Sequence, residues 1–124
     1  MKITDVRVFE VRGEMAFDGE FWEERLIRPI DVYPEHKAEG PGWLQKLEEG
    51  RYAMRSIFCE IETDEGVTGL GGPTTTDQAL VIVQQLAPLL IGHDPLATER
   101  IWDGAYRLMV HGRKGTPMMA LSVV

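Results

Sequence analysis

The sequence contains one cysteine, Cys59, in 124 residues. No disulfide can form within the chain, and the cytosol is the expected compartment. No apolar run approaches the roughly 20 residues needed to span a bilayer, so a membrane is not an expected partner. Met1-Lys2 leads straight into a strand-like pattern without the apolar core of a signal peptide. Neither H-E-x-x-H nor C-x-x-C occurs, and His36 and His93 lack a second ligand at metal spacing, which leaves no metal motif. Gly69-Leu-Gly-Gly72 misses the dinucleotide register, and its glycines suit a close backbone approach instead. Gly112-Arg-Lys-Gly-Thr116 is no phosphate loop, because glycine follows Lys114 and the upstream glycine spacing is wrong. Positive charge is scarce: 13 Lys and Arg stand against 20 Asp and Glu, a net charge of −7. That balance argues against nucleic acid as a partner, though not against a local basic patch for a small anion.

What is present is a globular composition, 44% hydrophobic and 27% charged. Ile3–Val11 reads as a strand, with Val6 and Val8 on one face and Ile3, Phe9 and Val11 on or near the other. A second strand spans Arg55–Thr63, with Ile57, Cys59 and Ile61 alternating against Phe58, Glu60 and Glu62. Asp64-Glu65-Gly66 supplies a turn, and Val67–Gly71 returns as the partner strand of an antiparallel hairpin. In that run Cys59 reads as a buried, inert thiol, with no activating base nearby.

Between the two long strands, Arg12–Met54 shows no sustained period. It holds Trp22, Trp43, Phe17, Phe21, Tyr33 and Tyr52 among prolines and glycines, which argues against a solvated linker. It reads as a lid-like insertion at about residues 12–54 that orders against substrate or another domain. From Thr76 the pattern is helical, with a stripe at Ala79, Leu80, Val83, Leu86, Ala87 and Leu90, and Pro88 is expected to end or bend that helix. Asp94 as N-cap and Pro95 as first residue are expected to start a second helix, with an apolar stripe at Leu96, Ile101, Ala105 and Leu108. Gly112 and Gly115 bracket a break before a third helix through Met118, Met119 and Leu121. Ser122-Val123-Val124 brings no C-cap, so this helix reads as truncated at 124.

Arg107, His111, Arg113 and Lys114 place cations at a helix carboxyl end. They suit carbonyl capping there, and alternatively a domain contact or an anion site. The acidic pairs Glu23-Glu24 and Glu48-Glu49 read as solvated faces. Nothing assembles a nucleophile, a base and an oxyanion hole. From its residues alone, the chain is an α+β domain, noncatalytic, with an ordered lid.

Four segments carry a family resemblance. Met1-Lys-Ile-Thr-Asp-Val-Arg-Val8 resembles the first strand of the mandelate racemase and muconate lactonizing enzyme family of the enolase superfamily. Arg55 through Gly71 resembles its strand-turn-strand signature. Leu89-Leu-Ile-Gly-His-Asp-Pro95 with Ile101-Trp102 resembles its turn and following helix. His111-Gly-Arg-Lys-Gly115 with Met119-Ala-Leu-Ser122 resembles the entry to the helix that leads into the barrel. Together, in this order, they cover nearly the whole chain.

The resemblance implies a three-stranded antiparallel meander sheet followed by a helical bundle, an amino-terminal cap over a (β/α) barrel that is absent from residues 1–124. It implies an enzyme that holds a small-molecule carboxylate on Mg²⁺ and abstracts the proton α to it, with metal ligands and bases on the barrel, so none falls in this chain. A divalent cation offsets the charge of the enediolate, and a positioned Lys or His takes the proton. The cap's loops would contact the distal end of the substrate. Arg28, Tyr33, His36 and Arg55 are the candidate substrate-binding residues, and Trp22 or Trp43 the candidates to pack on its carbon chain. For each arginine a surface or interface ion pair is the competing role. The long insertion and the His111–Gly115 segment are most similar to the rhamnonate dehydratase-like branch. That implies a carbon–oxygen lyase, a dehydratase acting on a sugar acid and giving a 2-keto-3-deoxy acid. A racemase or cycloisomerase, or a stand-alone noncatalytic interaction domain, are the alternatives. The family further implies a homo-oligomer.

Overall fold

The computed structural model describes residues 1–18, 29–36 and 45–124. The chain divides into two compact units. One joins Met1–Val11 to Ser56–Val124, and the other is Arg12–Arg55. Among the described residues four strands form one sheet: β1 (Ile3–Ala16), β2 (Gln45–Glu48), β3 (Arg51–Thr63) and β4 (Thr68–Thr74). β1 and β2 flank β3, and β4 also pairs with β3. Both β2 and β4 run antiparallel to β3. The architecture is the α+β cap expected, an antiparallel sheet followed by helices, with a short additional strand. β2 shows no period in the sequence because all four of its residues are exposed and none selects a face.

In the first unit, alternation along β3 produces two distinct faces. Cys59 is buried and Ile61 packs against the core, opposite Gly71 and Gly69 of β4. On the other face Phe9 and Phe58 meet at 6.2 Å between ring centroids. Arg7 there pairs with Glu60, and with Glu62 at 3.2 Å. The turn closes on Gly66 at φ 77°, with Thr63 N–H donating to the Val67 carbonyl at 3.0 Å. Burial pushes the Cys59 thiol pKa up, which keeps it protonated and unreactive.

Gly71 meets a close approach. A Cβ built on it would overlap the carbonyl oxygen of Val123, so the Val123 backbone can lie on β4 only where β4 has no side chain.

The helices supply the rest of the core. α1 (Thr76–Val81) passes through a π-helical turn, Ile82–Leu86, into α2 (Ala87–Leu90). Pro88 therefore neither ends nor breaks the run. Proline lacks an N–H and crowds the carbonyl one turn back. The ladder widens just before it, with Ala87 N–H donating to the Ile82 carbonyl five residues earlier. The buried stripe is Gln78, Ile82, Leu86, Ala87 and Leu90, whereas Leu80 and Val83, expected inside, are more than half exposed. Gln78 is tolerated because its amide is satisfied. Oε1 accepts from the Thr74 hydroxyl at 2.7 Å, and Nε2 lies 3.7 Å from the Met119 sulfur.

The next helix, α3 (Thr98–Leu108), starts later than expected. Asp94 does not cap it. Its Oδ1 accepts from Leu96 N–H at 3.0 Å and its carbonyl from Ala97 N–H at 3.1 Å, so the residue forms a turn of its own. Leu96 thus lies outside the helix and is exposed; Leu108 is exposed too, while Ala105 and Met109 are buried. α4 (Thr116–Leu121) follows Gly115, at φ 70°, and packs mainly on α1. Asp77 joins the two. It accepts from the Thr75 hydroxyl and from the Thr116 hydroxyl at 2.9 Å, and both bonds hold its carboxyl below the usual range. Among the described residues no helix is long and apolar enough to cross a membrane.

Candidate substrate-recognition segment

The second unit, Arg12–Arg55, contains the candidate recognition residues. Among its described residues Tyr52 alone is fully buried. β2 and β3 form a hairpin through Glu49 and Gly50, with Gly50 at φ 73° and Glu48 opposite Arg51. Phe17 N–H donates to the Gly50 carbonyl at 2.9 Å, tying the end of β1 to this turn. Arg51 pairs with Glu14, and with Glu48 at 2.6 Å; both carboxylates raise its pKa. Lys46 reaches Glu49 at 3.0 Å. Glu48 and Glu49 are thus solvated, as expected, and also paired. Sequence reasoning did not find the Arg51 cluster, although Glu48 and Arg51 flanking a glycine turn are its signal.

Two prolines organise the middle of the segment. Pro29 opens a 3₁₀ turn to Val32, and Pro34 opens another to His36. Proline suits both starts, since its φ is already helical and it has no N–H to leave unpaired. Tyr33 N–H donates to the Ile30 carbonyl and His36 N–H to the Tyr33 carbonyl, each at 3.0 Å. Residues three apart are eclipsed in such a turn. The rings of Tyr33 and His36 accordingly meet edge to face, 6.4 Å apart at 86°. Both residues are exposed, and so are Ile30 and Val32.

The structure therefore brings two of the four candidates together, Tyr33 and His36. Arg55 stands on β3 with an exposed side chain. Arg28 lies outside the described residues, as do Trp22, Trp43 and the Glu23-Glu24 pair. A phenol and an imidazole presented side by side offer hydrogen-bond donors and acceptors suited to a polyhydroxylated ligand.

Elsewhere, the basic segment does what helix-end cations do. Arg113 Nε donates to the Tyr106 carbonyl at 3.3 Å, and its guanidinium lies 4.3 Å over the Tyr106 ring. Trp102 stacks on Tyr106, with ring centroids 4.8 Å apart at 13°. Arg107 pairs with Asp103 at 2.8 Å. His93 is exposed and holds the start of β1 through its backbone, its carbonyl accepting from Ile3 N–H at 2.9 Å. Among the described residues, no three His, Cys, Asp or Glu side chains come together to hold a metal ion. Mg²⁺ does not fit these residues.

Residues 48–124 match the family described as mandelate racemase / muconate lactonizing enzyme, N-terminal domain. An L-rhamnonate dehydratase of Saccharopolyspora erythraea is 28% identical over 131 aligned residues, covering 100% of this chain and 32% of that enzyme. A D-galactonate dehydratase of Ralstonia pickettii is 32% identical over 83 residues, covering 64% of this chain and 21% of its own length. Among solved structures, an enolase-superfamily member from Agrobacterium tumefaciens matches with TM-score 0.64 and 23% identity, over 98% of this chain and 31% of that one. A racemase from Streptomyces coelicolor with bound magnesium matches with TM-score 0.56 and 22% identity, over 98% of this chain and 29% of that one. The chain spans about a third or less of the length of these relatives.

Proposed function

The chain belongs to the mandelate racemase / muconate lactonizing enzyme family as its N-terminal domain, and on that premise we propose that it is the substrate-recognition cap of an acid-sugar dehydratase. The reaction is loss of water from a sugar acid. The α-proton is taken, the β-hydroxyl leaves as water, and the resulting enol tautomerises to a 2-keto-3-deoxy acid. One observation carries the reading. The family match begins at residue 48, yet the alignment to the L-rhamnonate dehydratase runs through the whole chain, including the Arg12–Met54 insertion.

In this reading the insertion is a lid whose groups contact the substrate's hydroxylated end and exclude water. Tyr33 and His36 hydrogen-bond the hydroxyls. Arg28 and Arg55 supply forked donors to a hydroxyl or carboxylate. Mg²⁺, when bound, offsets charge on the enediolate. Its ligands and the catalytic bases belong to the barrel that makes up the rest of the relatives' length, so no step runs through this chain's own residues. The complete enzyme is placed in the cytoplasm and assembled as a homo-oligomer.

The test is a panel of sugar acids assayed with Mg²⁺ on the complete enzyme. A 2-keto-3-deoxy product, abolished by chelation, is the expected result. Racemisation of an α-hydroxy acid without dehydration of any sugar acid rejects the reading.

A further inference from the structure

A small pocket of about 240 Å³ lies in the first unit, between α2 with the turn that follows it and α3. Leu89, Ile101 and Gly104 line it with apolar surface, and His93, Arg100 and Asp103 bring polar groups to it. Gly104 keeps the space open. It stands one turn after Arg100 on the same face of α3, and a Cβ built there would come 4.0 Å from a Leu89 methyl. The opposite wall is fixed by backbone. Ile3 N–H donates to the His93 carbonyl at 2.9 Å, and Gly92 N–H donates to the Ile3 carbonyl at 2.8 Å.

The charges around the pocket leave a positive centre. Among the described residues Arg7, Arg51 and Arg107 pair with carboxylates, Arg113 lies over Tyr106, and Arg12 and Arg55 also have partners. Arg100 has no ion pair, hydrogen bond or ring contact among these residues, and neither has the side chain of His93. Asp103, on the rim, is held by Arg107 at 2.8 Å. Asp94, next in the chain to His93, accepts from Leu96 N–H at 3.0 Å. In a chain of net charge −7, an arginine left without a carboxylate is the exception.

A guanidinium grips a carboxylate through two parallel N–H···O bonds, and an imidazole N–H adds a third donor. The floor of Leu89 and Ile101 suits carbon rather than hydroxyl groups. The volume is below the roughly 300–1,000 Å³ of pockets that take drug-sized ligands, so the ligand is small. We propose that this pocket binds a short-chain monocarboxylic acid, with its carboxylate on Arg100 and His93 and its hydrocarbon end on Leu89 and Ile101. It takes an apolar body, where Tyr33 and His36 offer groups for hydroxyls. The proposal does not depend on the reaction of the complete enzyme.

Calorimetric titration of the complete enzyme tests it, with Mg²⁺ chelated so that no metal-held carboxylate contributes. The probes are butyrate, butyramide and inorganic phosphate. Butyrate should bind saturably, once per chain. Butyramide lacks the charge and phosphate lacks the carbon body, so each should bind at least about tenfold more weakly. Arg100→Gln should weaken butyrate binding by at least about tenfold, the loss of a charge-assisted bond. Arg100→Lys should recover only part of it, because the charge returns without the fork. Gly104→Leu should abolish binding by filling the pocket, with circular dichroism checking that it folds; if it does not fold, Arg100→Gln decides alone. No butyrate binding to the unaltered enzyme overturns the proposal. So does binding that survives Arg100→Gln, or phosphate binding as tight as that of butyrate. Dissociation of the enzyme by Arg100→Gln in ultracentrifugation also overturns it, because the partner of Arg100 is then a carboxylate of a second copy.

Discussion

The two units of this chain are held by different forces. In the first, β1, β3 and the helices bury a cluster of nine residues that includes Ile82 and Leu86, neither of which has any exposed surface. In Arg12–Arg55 only Tyr52 is buried among the described residues, and the contacts are a hairpin, two proline-initiated turns and exposed ion pairs around Arg51. Apolar burial stabilises by about 25 cal/mol per Å², whereas exposed ion pairs contribute little. Among the described residues the first unit is therefore held by its core, and the second by hydrogen bonds and exposed ion pairs.

That contrast can be broken at several points. Leu86→Ala removes a fully buried side chain from the centre of the first unit and should cost about 2–5 kcal/mol in urea denaturation. A loss below 1 kcal/mol would mean the core closes around the deletion and the two units are less different than described. Gly71→Ala forces a methyl group into the Val123 carbonyl and should cost about 1–3 kcal/mol as an overpacked site, readable in the same experiment. In the second unit the effect should fall on activity. Arg55→Ala in the complete enzyme should lower kcat/KM by about 1–3 kcal/mol of transition-state stabilisation, with the denaturation midpoint unmoved. Unchanged kinetics assign Arg55 a structural role.

A fourth test uses pH. Thr75 and Thr116 hydroxyls hold the Asp77 carboxyl below its ordinary value. Its contribution to stability is therefore complete above about pH 4, the unfolded value, and is lost as pH falls through the lower folded value. Asp77→Asn should flatten that part of the acid limb, and an unaltered limb would show that the Thr116 bond does not tie α1 to α4. The smallest effect belongs to Arg51→Gln. It breaks exposed pairs with Glu14 and Glu48, and it should leave the denaturation midpoint unchanged within error. A shift as large as that of Leu86→Ala would dissolve the contrast between the units.

The sequence showed most clearly where one physical signal acted alone. The β3–β4 hairpin was legible because Ile57, Cys59 and Ile61 alternate with polar residues up to a glycine turn. α3 and α4 were legible as helices, but the start of α3 was not, because Asp94 satisfies its own turn as readily as it would a helix. The buried face of the α1–α2 run was legible in part. Leu86, Ala87 and Leu90 lie inside as expected, but Gln78 and Ile82 are buried where Leu80 and Val83 were expected, and a π turn precedes Pro88. No periodicity scan anticipates a buried glutamine, since its burial depends on Thr74 and Met119 meeting both ends of its amide. In the candidate site, Tyr33 and His36 were named singly, and their edge-to-face contact depends on the turn that Pro34 opens between them. Arg51 was passed over because ion pairing across a two-residue turn needs the register of β2, and β2 has no pattern to read.

The stack of Trp102 on Tyr106, whose ring also meets Arg113, has a practical use. The chain has three tryptophans. Trp22 and Trp43 fall within Arg12–Arg55, and Trp102 falls in the other unit, on α3. Replacing the first two with phenylalanine leaves a single native fluorophore whose emission reports on one unit only. Its colour and quenching would follow the packing around α3 in real time, without any attached dye.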